Sequence, residues 1–294
     1  MLIKFFKLIL VVLFLIQNPL YAKNSVLIDF NSRDLSNYFS GIIAYENQDN
    51  LEALNFFRSS RILMNKHDPY LKRYVYSLVL ENKTKQASIE IKQNLKNDSS
   101  NFFEAHLILA LESLKKKNFD KSIVYLEQSH KFINNDRIAL VIYETIKQYL
   151  LVFEEGKISK TKTNFGKISF INEVFQKCYL GDKNTENNFK IIINNKEDYS
   201  RYIFFLINYL IENNKLDKAQ SVISEIDYLN SSLLIAQSKE WIKKNEIKKI
   251  EKIFSCKNPN DLISEFIFLI GNLYASQSDY EKSNFYLNIA NYLN

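Results

Sequence analysis

Apolar residues recur at helical spacing along most of this chain, and the pattern is clearest near its end. Between Glu265 and Asn294, apolar and small residues repeat at intervals of three and four, which places them on one face of each of two successive helices. The stretch reads Ile267-x2-Ile270-Gly271-x2-Tyr274 and then Tyr280-x2-Ser283-x3-Leu287-x2-Ala290. The pattern predicts an antiparallel helical pair with small residues where the two backbones approach.

A glycine inside a helix indicates close packing at that point. Gly within a helix costs about 1 kcal/mol relative to Ala, so Gly271 is a poor choice unless a neighbouring backbone comes near. The same arrangement occurs at the start of the chain, where Gly41 precedes Ala53 by the same interval that separates Gly271 from Ser283. We therefore expect the first and last helical pairs to be structurally equivalent.

These spacings resemble the tetratricopeptide repeat, whose pattern is W-x2-L-G-x2-Y followed by A-x3-F. Ala53 and Ala87 are 34 residues apart, which is the period of that family. The resemblance implies an all-α fold: an α-solenoid, a right-handed superhelix of about seven stacked helical pairs over residues 34–294, with degenerate pairs in the middle. Each pair would then contact only its neighbours. An unrelated helical bundle would explain the helices but not the recurrence.

Boundary residues predict where the early units begin. Asp34 is a candidate helix N-cap, and Asp68 followed by Pro69 is a second helix start. The third unit restores the pattern, with small or apolar residues at matching intervals: Phe119, Ser122, Leu126 and Ser129.

The middle of the chain is harder to assign. Ile138–Phe153 is predicted to be a helix without a clear partner, and residues 154–167 are predicted to be an irregular insertion. A helix over Ile168–Leu180 and a turn over Gly181–Asn187 follow. The repeat register between about 138 and 199 stays open, and then the pattern returns with the equivalent residues Ala219, Ile250 and Ser283.

The first 22 residues have the layout of a secretory signal peptide. Lys4 and Lys7 precede the apolar run Leu8–Ile16, and Ala22 offers a cleavage site before Lys23. Residues 23–33 would form a mature leader. We expect an exported protein, periplasmic or envelope-associated, although an uncleaved anchor has the same features. No later segment is predicted to span a membrane, since the best candidate, Tyr202–Ile211, is too short.

Composition favours long helices and argues against a nucleic-acid partner. The chain has 294 residues, 46% of them hydrophobic, with only three prolines and five glycines. The formal charge of +6 falls to +4 after signal cleavage and is expected to be dispersed among acidic residues. Such a modest excess is not typical of a nucleic-acid surface.

No motif in the sequence predicts catalysis, a cofactor or a metal. His67 lies in a turn, His106 occupies a packing position and His130 lies at a helix end. Glu104, Glu112 and Glu265 are expected to lie on solvated helix faces. An envelope glycosidase, which would use positioned carboxylates, is kept as a remote alternative.

The two cysteines, Cys178 and Cys256, are 78 residues apart in sequence. Export permits a disulfide, but repeats that are not neighbours lie beyond its reach. Two buried thiols are therefore the favoured expectation, with a bridge as the alternative.

The family resemblance implies a concave groove, lined by the first helices of successive repeats, that receives a peptide or a partner helix. The implied groove residues are Tyr38, Ile42, Tyr45, Lys72, Tyr76, Val79, Leu107, Leu111, Leu114, Phe204, Asn208, Ile211, Phe268, Asn272 and Ala275. A non-catalytic adaptor that binds protein or peptide partners in the cell envelope is the leading function. A permanent structural subunit of an envelope assembly is the alternative, and the same apolar residues could instead be ordinary core.

Overall fold

The fold was obtained as a computed structural model, which describes residues 31–67, 69–158, 163–194, 200–226 and 233–294. These residues form fifteen α-helices, two short 3-10 turns (Arg61–Asn65 and Asp98–Ser100) and no strand, which confirms the all-α prediction. In chain order the helices are α1 Ser32–Glu46, α2 Asn50–Ser59, α3 Pro69–Leu80, α4 Thr84–Gln93, α5 Phe103–Lys115, α6 Phe119–His130, α7 Arg137–Glu155, α8 Lys167–Leu180, α9 Thr185–Asn194, α10 Ser200–Glu212, α11 Leu216–Ser224, α12 Leu233–Lys243, α13 Lys248–Glu251, α14 Pro259–Ser276 and α15 Tyr280–Leu293.

Six helical pairs are joined by the same turn: α1–α2, α3–α4, α5–α6, α10–α11, α12–α13 and α14–α15. After each first helix, one residue adopts a left-handed backbone conformation with φ between 56° and 64°. The next residue then donates its backbone N–H to the carbonyl five positions earlier, as Asp49 does to Ala44 at 2.9 Å. This pattern of bonds is the Schellman motif, which satisfies carbonyls at the end of a helix. The left-handed residues are Gln48, Asn82, Lys117, Asn214, Asn245 and Ser278.

The predicted repeat register matches these turns. Each equivalent residue lies five positions after the left-handed one and is buried: Ala53, Ala87, Ser122, Ala219, Ile250 and Ser283. A related turn at Gly181 joins α8 to α9. Helix α7 therefore lies between the third pair and the α8–α9 pair, which explains why its partner could not be identified from the sequence.

Close approach at the two helical glycines confirms why small residues are needed there. A β-carbon added to Gly271 would lie 2.9 Å from Cγ and Cδ2 of Leu287 on the partner helix. A β-carbon at Gly41 would lie 2.9 Å from ring atoms of Phe57. In both pairs the second helix packs against the glycine backbone of the first.

The last pair packs against the early helices, so the expectation that each pair contacts only its neighbours was wrong. Helix α15 contacts α3, α4 and α5, and α14 contacts α5, α7 and α8. The amide of Asn288 donates to the backbone carbonyls of Val79 at 3.1 Å and Leu80 at 3.0 Å. Tyr76 stacks on Phe285 with ring centroids 4.3 Å apart. These contacts bring residues more than 200 positions apart into one core.

Because the last pair packs against earlier helices, the expectation of two unbonded thiols was also wrong. Cys178 on α8 and Cys256, just before α14, form a disulfide with Cα atoms 5.6 Å apart. Their separation of 78 residues in sequence does not keep them apart, because α14 packs directly on α8.

Helix boundaries agree with the sequence except at two points. The N-cap of α1 is Asn31, whose side chain accepts from the N–H of Arg33, so Asp34 lies in the first turn and does not cap. The predicted turn over Gly181–Asn187 is shorter, since α9 already begins at Thr185. Helix α3 begins at Pro69 as expected, while Asp68 lies outside the described residues, as do the signal segment and residues 23–30. Residues 156–158 and 163–166 are non-helical, within the predicted insertion.

Among the described residues, none of the helices has both the length and the apolar content needed to cross a bilayer.

Candidate functional site

Helix α15 covers much of the part of the groove that was predicted for the first three repeats. Val79, Leu107, Leu111 and Leu114 are buried, and Tyr76 lies under Phe285. The hydroxyl of Tyr45 donates to the carboxylate of Glu281 at the start of α15. Most of the early groove residues are therefore core between the last pair and the first three.

Tyr38 belongs to the interior of the first pair. Its hydroxyl lies 3.0 Å from Nε2 of His67, and its ring stacks on Tyr70 with centroids 5.8 Å apart. Ile42, one turn further along α1, is half-buried. Tyr38 is thus held by the turn before α3, and its ring contributes to packing.

An open cleft remains where α1, α3 and the start of α15 meet. Its volume is about 370 Å³. The lining residues are Tyr45, Glu46, Pro69, Lys72, Arg73, Tyr76, Glu281 and Lys282, and we call this site the tyrosine–lysine cleft. The structure thus brings together three predicted groove residues, Tyr45, Lys72 and Tyr76.

Two buried tyrosines form the inner wall of this cleft. Burial raises the pKa of Tyr45, and the hydrogen bond to Glu281 raises it further. Burial likewise raises the pKa of Tyr76 well above its ordinary value. Both phenols therefore stay protonated at neutral pH, and the wall that they form carries no charge.

Three cations line the outer part of the tyrosine–lysine cleft, and each has an acidic neighbour. Lys72 lies 3.9 Å from Glu104, Arg73 lies 3.3 Å from Glu46, and Lys282 lies 3.9 Å from Asp279. The side chain of Lys72 is 50% exposed, whereas that of Glu104 is largely buried. Arg73 and Lys282 pair with exposed acids, so these two cations can exchange their present partners for an incoming carboxylate at small cost.

The predicted groove residues of the later repeats lie elsewhere and have structural contacts. The amide of Asn208 donates to the carbonyl of Phe254 at 2.7 Å and ties α10 to the segment that follows α13. Phe268 lies beneath the guanidinium of Arg201, 4.2 Å from its ring centroid. Phe204 is buried and Asn272 is exposed, and neither lines the tyrosine–lysine cleft.

Glu104, Glu112 and Glu265 are buried, so the expectation that they lie on solvated faces was wrong. Their helices, α5 and α14, are enclosed by neighbouring helices that supply the counter-charges. Glu265 receives a bidentate ion pair from Arg201, with N–O distances of 2.6–2.9 Å.

Glu112 is held as an anion by its neighbours. It pairs with Lys92 at 2.7 Å and Lys116 at 2.6 Å, and it accepts a hydrogen bond from Ser88. Burial by itself raises the pKa of Glu112, but these hydrogen bonds outweigh burial and lower it to about 2. The carboxylate is fully paired and serves to join α4 to α5.

The histidines occupy packing and turn positions. His106 is buried and its ring stacks on Phe132 with centroids 5.3 Å apart, while burial lowers its pKa. His130 is the last residue of α6, as predicted. Within the ranges that the structure describes, no group of three or more His, Cys, Asp or Glu side chains is placed to hold a metal ion.

The sequence did not predict that α15 supplies one wall of the cleft. A signal was present in α14, which is rich in apolar residues, with Leu262, Ile263, Phe266, Ile267, Ile270 and Tyr274 all buried. An apolar face this broad is typical of a helix that packs against more than one neighbour.

No protein-family model matches this chain, and no curated protein matches it.

Proposed function

We propose that this chain is a non-catalytic adaptor of the tetratricopeptide-like class, which binds a protein partner in the tyrosine–lysine cleft. The observation that carries the proposal is the composition of the cleft. A wall formed by Tyr45 and Tyr76 lies beside three partly exposed cations, Lys72, Arg73 and Lys282. Tyrosine rings give large contact areas with little loss of side-chain entropy, as in protein-binding hot spots.

Two structural features support the tetratricopeptide-like assignment. Six pairs share one turn and one five-residue offset to the buried equivalent position. In the first and last pairs a glycine permits the close helix contact that the family pattern requires. The long-range packing of α15 is compatible with a solenoid that coils far enough for its ends to meet.

Export to the cell envelope is part of the proposal. The basic and apolar layout of residues 1–22 supports it, and so does the disulfide between Cys178 and Cys256, because structural disulfides persist mainly in oxidising compartments. N-terminal sequencing of the protein from an envelope fraction should give Lys23 as the first residue. A retained Met1 would indicate an anchored protein.

The partner segment that best fits the cleft is an extended peptide that carries a carboxylate next to an apolar side chain. The carboxylate would lie among Lys72, Arg73 and Lys282, and the apolar side chain against Tyr76. Because the three cations are partly solvated, binding should weaken as salt rises.

Site-specific photo-crosslinking in intact cells tests the proposal. A crosslinking amino acid at Arg73 or Lys282 should capture one discrete partner, whereas the same probe at Lys85, exposed on α4, should not. With the partner purified, Lys72→Ala combined with Lys282→Ala should weaken binding about tenfold, which corresponds to two modest charge contacts. Equal capture from all three positions would overturn the cleft assignment.

A permanent structural subunit is the second candidate, and one observation favours it. Helix α1 exposes Phe39 (57%) and Ile43 (63%) one turn apart, with Leu35 and Ile42 half-buried beside them. Terminal repeats usually present a polar outer face, so this apolar patch fits an interface that is always covered. Sedimentation of the purified chain distinguishes the two functions: an adaptor stays monomeric, whereas an obligate subunit associates until Phe39→Ser and Ile43→Ser are introduced.

A further inference from the structure

The excess positive charge of the chain is concentrated in one segment, so the expected dispersal among acidic residues was wrong. Residues 239–257 contain seven lysines and three glutamates, a net charge of +4. Without the signal segment the whole chain carries +4, so the rest is electrically balanced. The lysines are Lys239, Lys243, Lys244, Lys248, Lys249, Lys252 and Lys257.

Six of these lysines are exposed, and the local acids neutralise little of their field. Lys244 lies 3.5 Å from Glu240, and Lys249 lies 2.7 Å from Glu246. Both lysine side chains are more than half exposed, so the two pairs are screened by water and hold the cations weakly. The surface of α12, α13 and the turn between them therefore presents a strong local positive potential.

Two apolar side chains lie on α12, which carries or adjoins these lysines. Leu233 is 75% exposed, which is the largest exposure among the large apolar side chains that the structure describes. Trp241, the one tryptophan of the chain, is half-buried in an open depression of about 410 Å³ that is lined by Lys244, Lys249 and their partners Glu240 and Glu246. Leu233 and Trp241 are eight residues apart on α12, so they lie on one side of that helix. We call this surface the lysine–tryptophan face.

We propose that the lysine–tryptophan face binds the surface of an anionic lipid bilayer. Lysine clusters are attracted to anionic headgroups by a diffuse field that needs no fixed geometry. Tryptophan is enriched at the boundary between headgroups and acyl chains, and an exposed leucine can enter that boundary. The proposal is independent of the tyrosine–lysine cleft, because the two sites share no residue.

A nucleic acid or an acidic protein fits these residues less well. Residues 233–257 contain no arginine, the side chain that forms bidentate contacts with phosphates, guanine and carboxylates. A single half-buried indole also gives no series of stacking platforms for bases. The combination of mobile point charges, one tryptophan and one exposed leucine favours a soft anionic surface over a shaped partner.

The single tryptophan allows a direct test with the mature chain and lipid vesicles. Vesicles of phosphatidylcholine with phosphatidylglycerol should shift Trp241 emission to shorter wavelength, and brominated acyl chains in them should quench it. Vesicles of phosphatidylcholine alone should do neither. The partition coefficient should fall as salt is added, because the attraction is electrostatic.

Two charge variants distinguish binding through the lysine–tryptophan face from attraction by the net charge of the whole protein. Each lysine near an anionic surface contributes roughly fivefold in partitioning, so replacing Lys243, Lys244, Lys248 and Lys249 by Gln should reduce binding by more than about a hundredfold. The matched control replaces four exposed lysines elsewhere by Gln and should cost only a few-fold: Lys66, Lys85, Lys96 and Lys131. Circular dichroism checks that both variants stay helical.

Leu233→Asn gives a second test at a position too exposed to disturb folding, and it should reduce partitioning several-fold while leaving helicity unchanged. Equal losses in the two lysine variants would overturn the proposal, because net charge alone would then explain binding. Equal emission shifts with neutral vesicles would overturn it too. An absence of vesicle binding would also overturn the proposal. The same holds if polyglutamate or duplex DNA shifts Trp241 emission and the vesicles do not.

Discussion

Replacing Gly271 by alanine should destabilise the protein, although the same change in an ordinary helix stabilises. Alanine gains about 1 kcal/mol over glycine from helix propensity. At Gly271 the new methyl group would lie 2.9 Å from two side-chain atoms of Leu287 and 3.3 Å from the carbonyl oxygen of Ser283. Overpacking of this kind costs about 1–3 kcal/mol, so the net change in unfolding free energy should be a loss of up to about 2 kcal/mol.

A double-mutant cycle with Leu287→Ala isolates the cause. Removing the leucine side chain eliminates both 2.9 Å contacts, so Gly271→Ala in that background should recover its propensity gain. The expected coupling energy is about 1–3 kcal/mol, within the range measured for residues in contact. Urea denaturation followed by circular dichroism measures all four variants, and Asn272→Ala, at the exposed next residue, is the control. Additive effects in the cycle would refute the close contact between α14 and α15.

Three further perturbations probe the buried polar and covalent contacts. Reducing the Cys178–Cys256 disulfide should lower the unfolding free energy by about 4–5 kcal/mol, because it releases a loop of 78 residues. Arg201→Ala should cost about 3–5 kcal/mol by leaving the Glu265 carboxylate buried and unpaired, and adding Glu265→Gln should recover part of that loss. Burial raises the pKa of Asp261 from 3.8 to about 6, so the folded state binds this proton more tightly and the contribution of Asp261 to stability should fall as pH rises from 4 to 6. The slope of stability against pH over this window should therefore be more negative in the wild type than in the Asp261→Asn variant.

For each of these three predictions, a specific result would contradict it. Unchanged denaturation midpoints with and without reductant would contradict the disulfide. Two thiols that can be alkylated in the native protein would contradict it as well. Equal stability of the Arg201 single variant and the double variant would mean that Glu265 is not buried against that guanidinium. The same slope of stability against pH between pH 4 and 6 in the wild type and in the Asp261→Asn variant would contradict the assigned proton uptake.

Local spacing was sufficient to predict an all-helical fold and the repeat register of six pairs, but not the register between about 138 and 199. Small residues at Ala53, Ala87, Ser122 and Ser283 mark the positions where second helices pack, because side-chain size limits how closely two helices approach. The mid-helix glycines carried the same information more strongly, since no other reason favours glycine within a helix.

Long-range packing could not be predicted from spacing because each repeat encodes only its own period. The contact between Tyr45 and Glu281 joins residues 236 positions apart, and nothing in either local pattern refers to the other. The burial of Glu112 could not be predicted from the spacing of its own helix either, because its neutralising lysine on α4, Lys92, lies in the neighbouring helical pair. Of the candidate site, the sequence predicted Tyr45, Lys72 and Tyr76 but not the wall that α15 contributes.

Crosslinking across the tyrosine–lysine cleft tests the central claim, that the last pair closes against the first ones and leaves this cleft open at its edge. Arg73→Cys on α3 and Lys282→Cys on α15 introduce thiols at partly exposed positions on opposite walls, while the native cysteines remain bonded to each other. A short bismaleimide should join the two within one molecule, and mass spectrometry should recover a linked peptide pair from residues 209 positions apart in sequence. No intramolecular link, or links only between molecules, would contradict the packing on which both the cleft and its proposed partner depend.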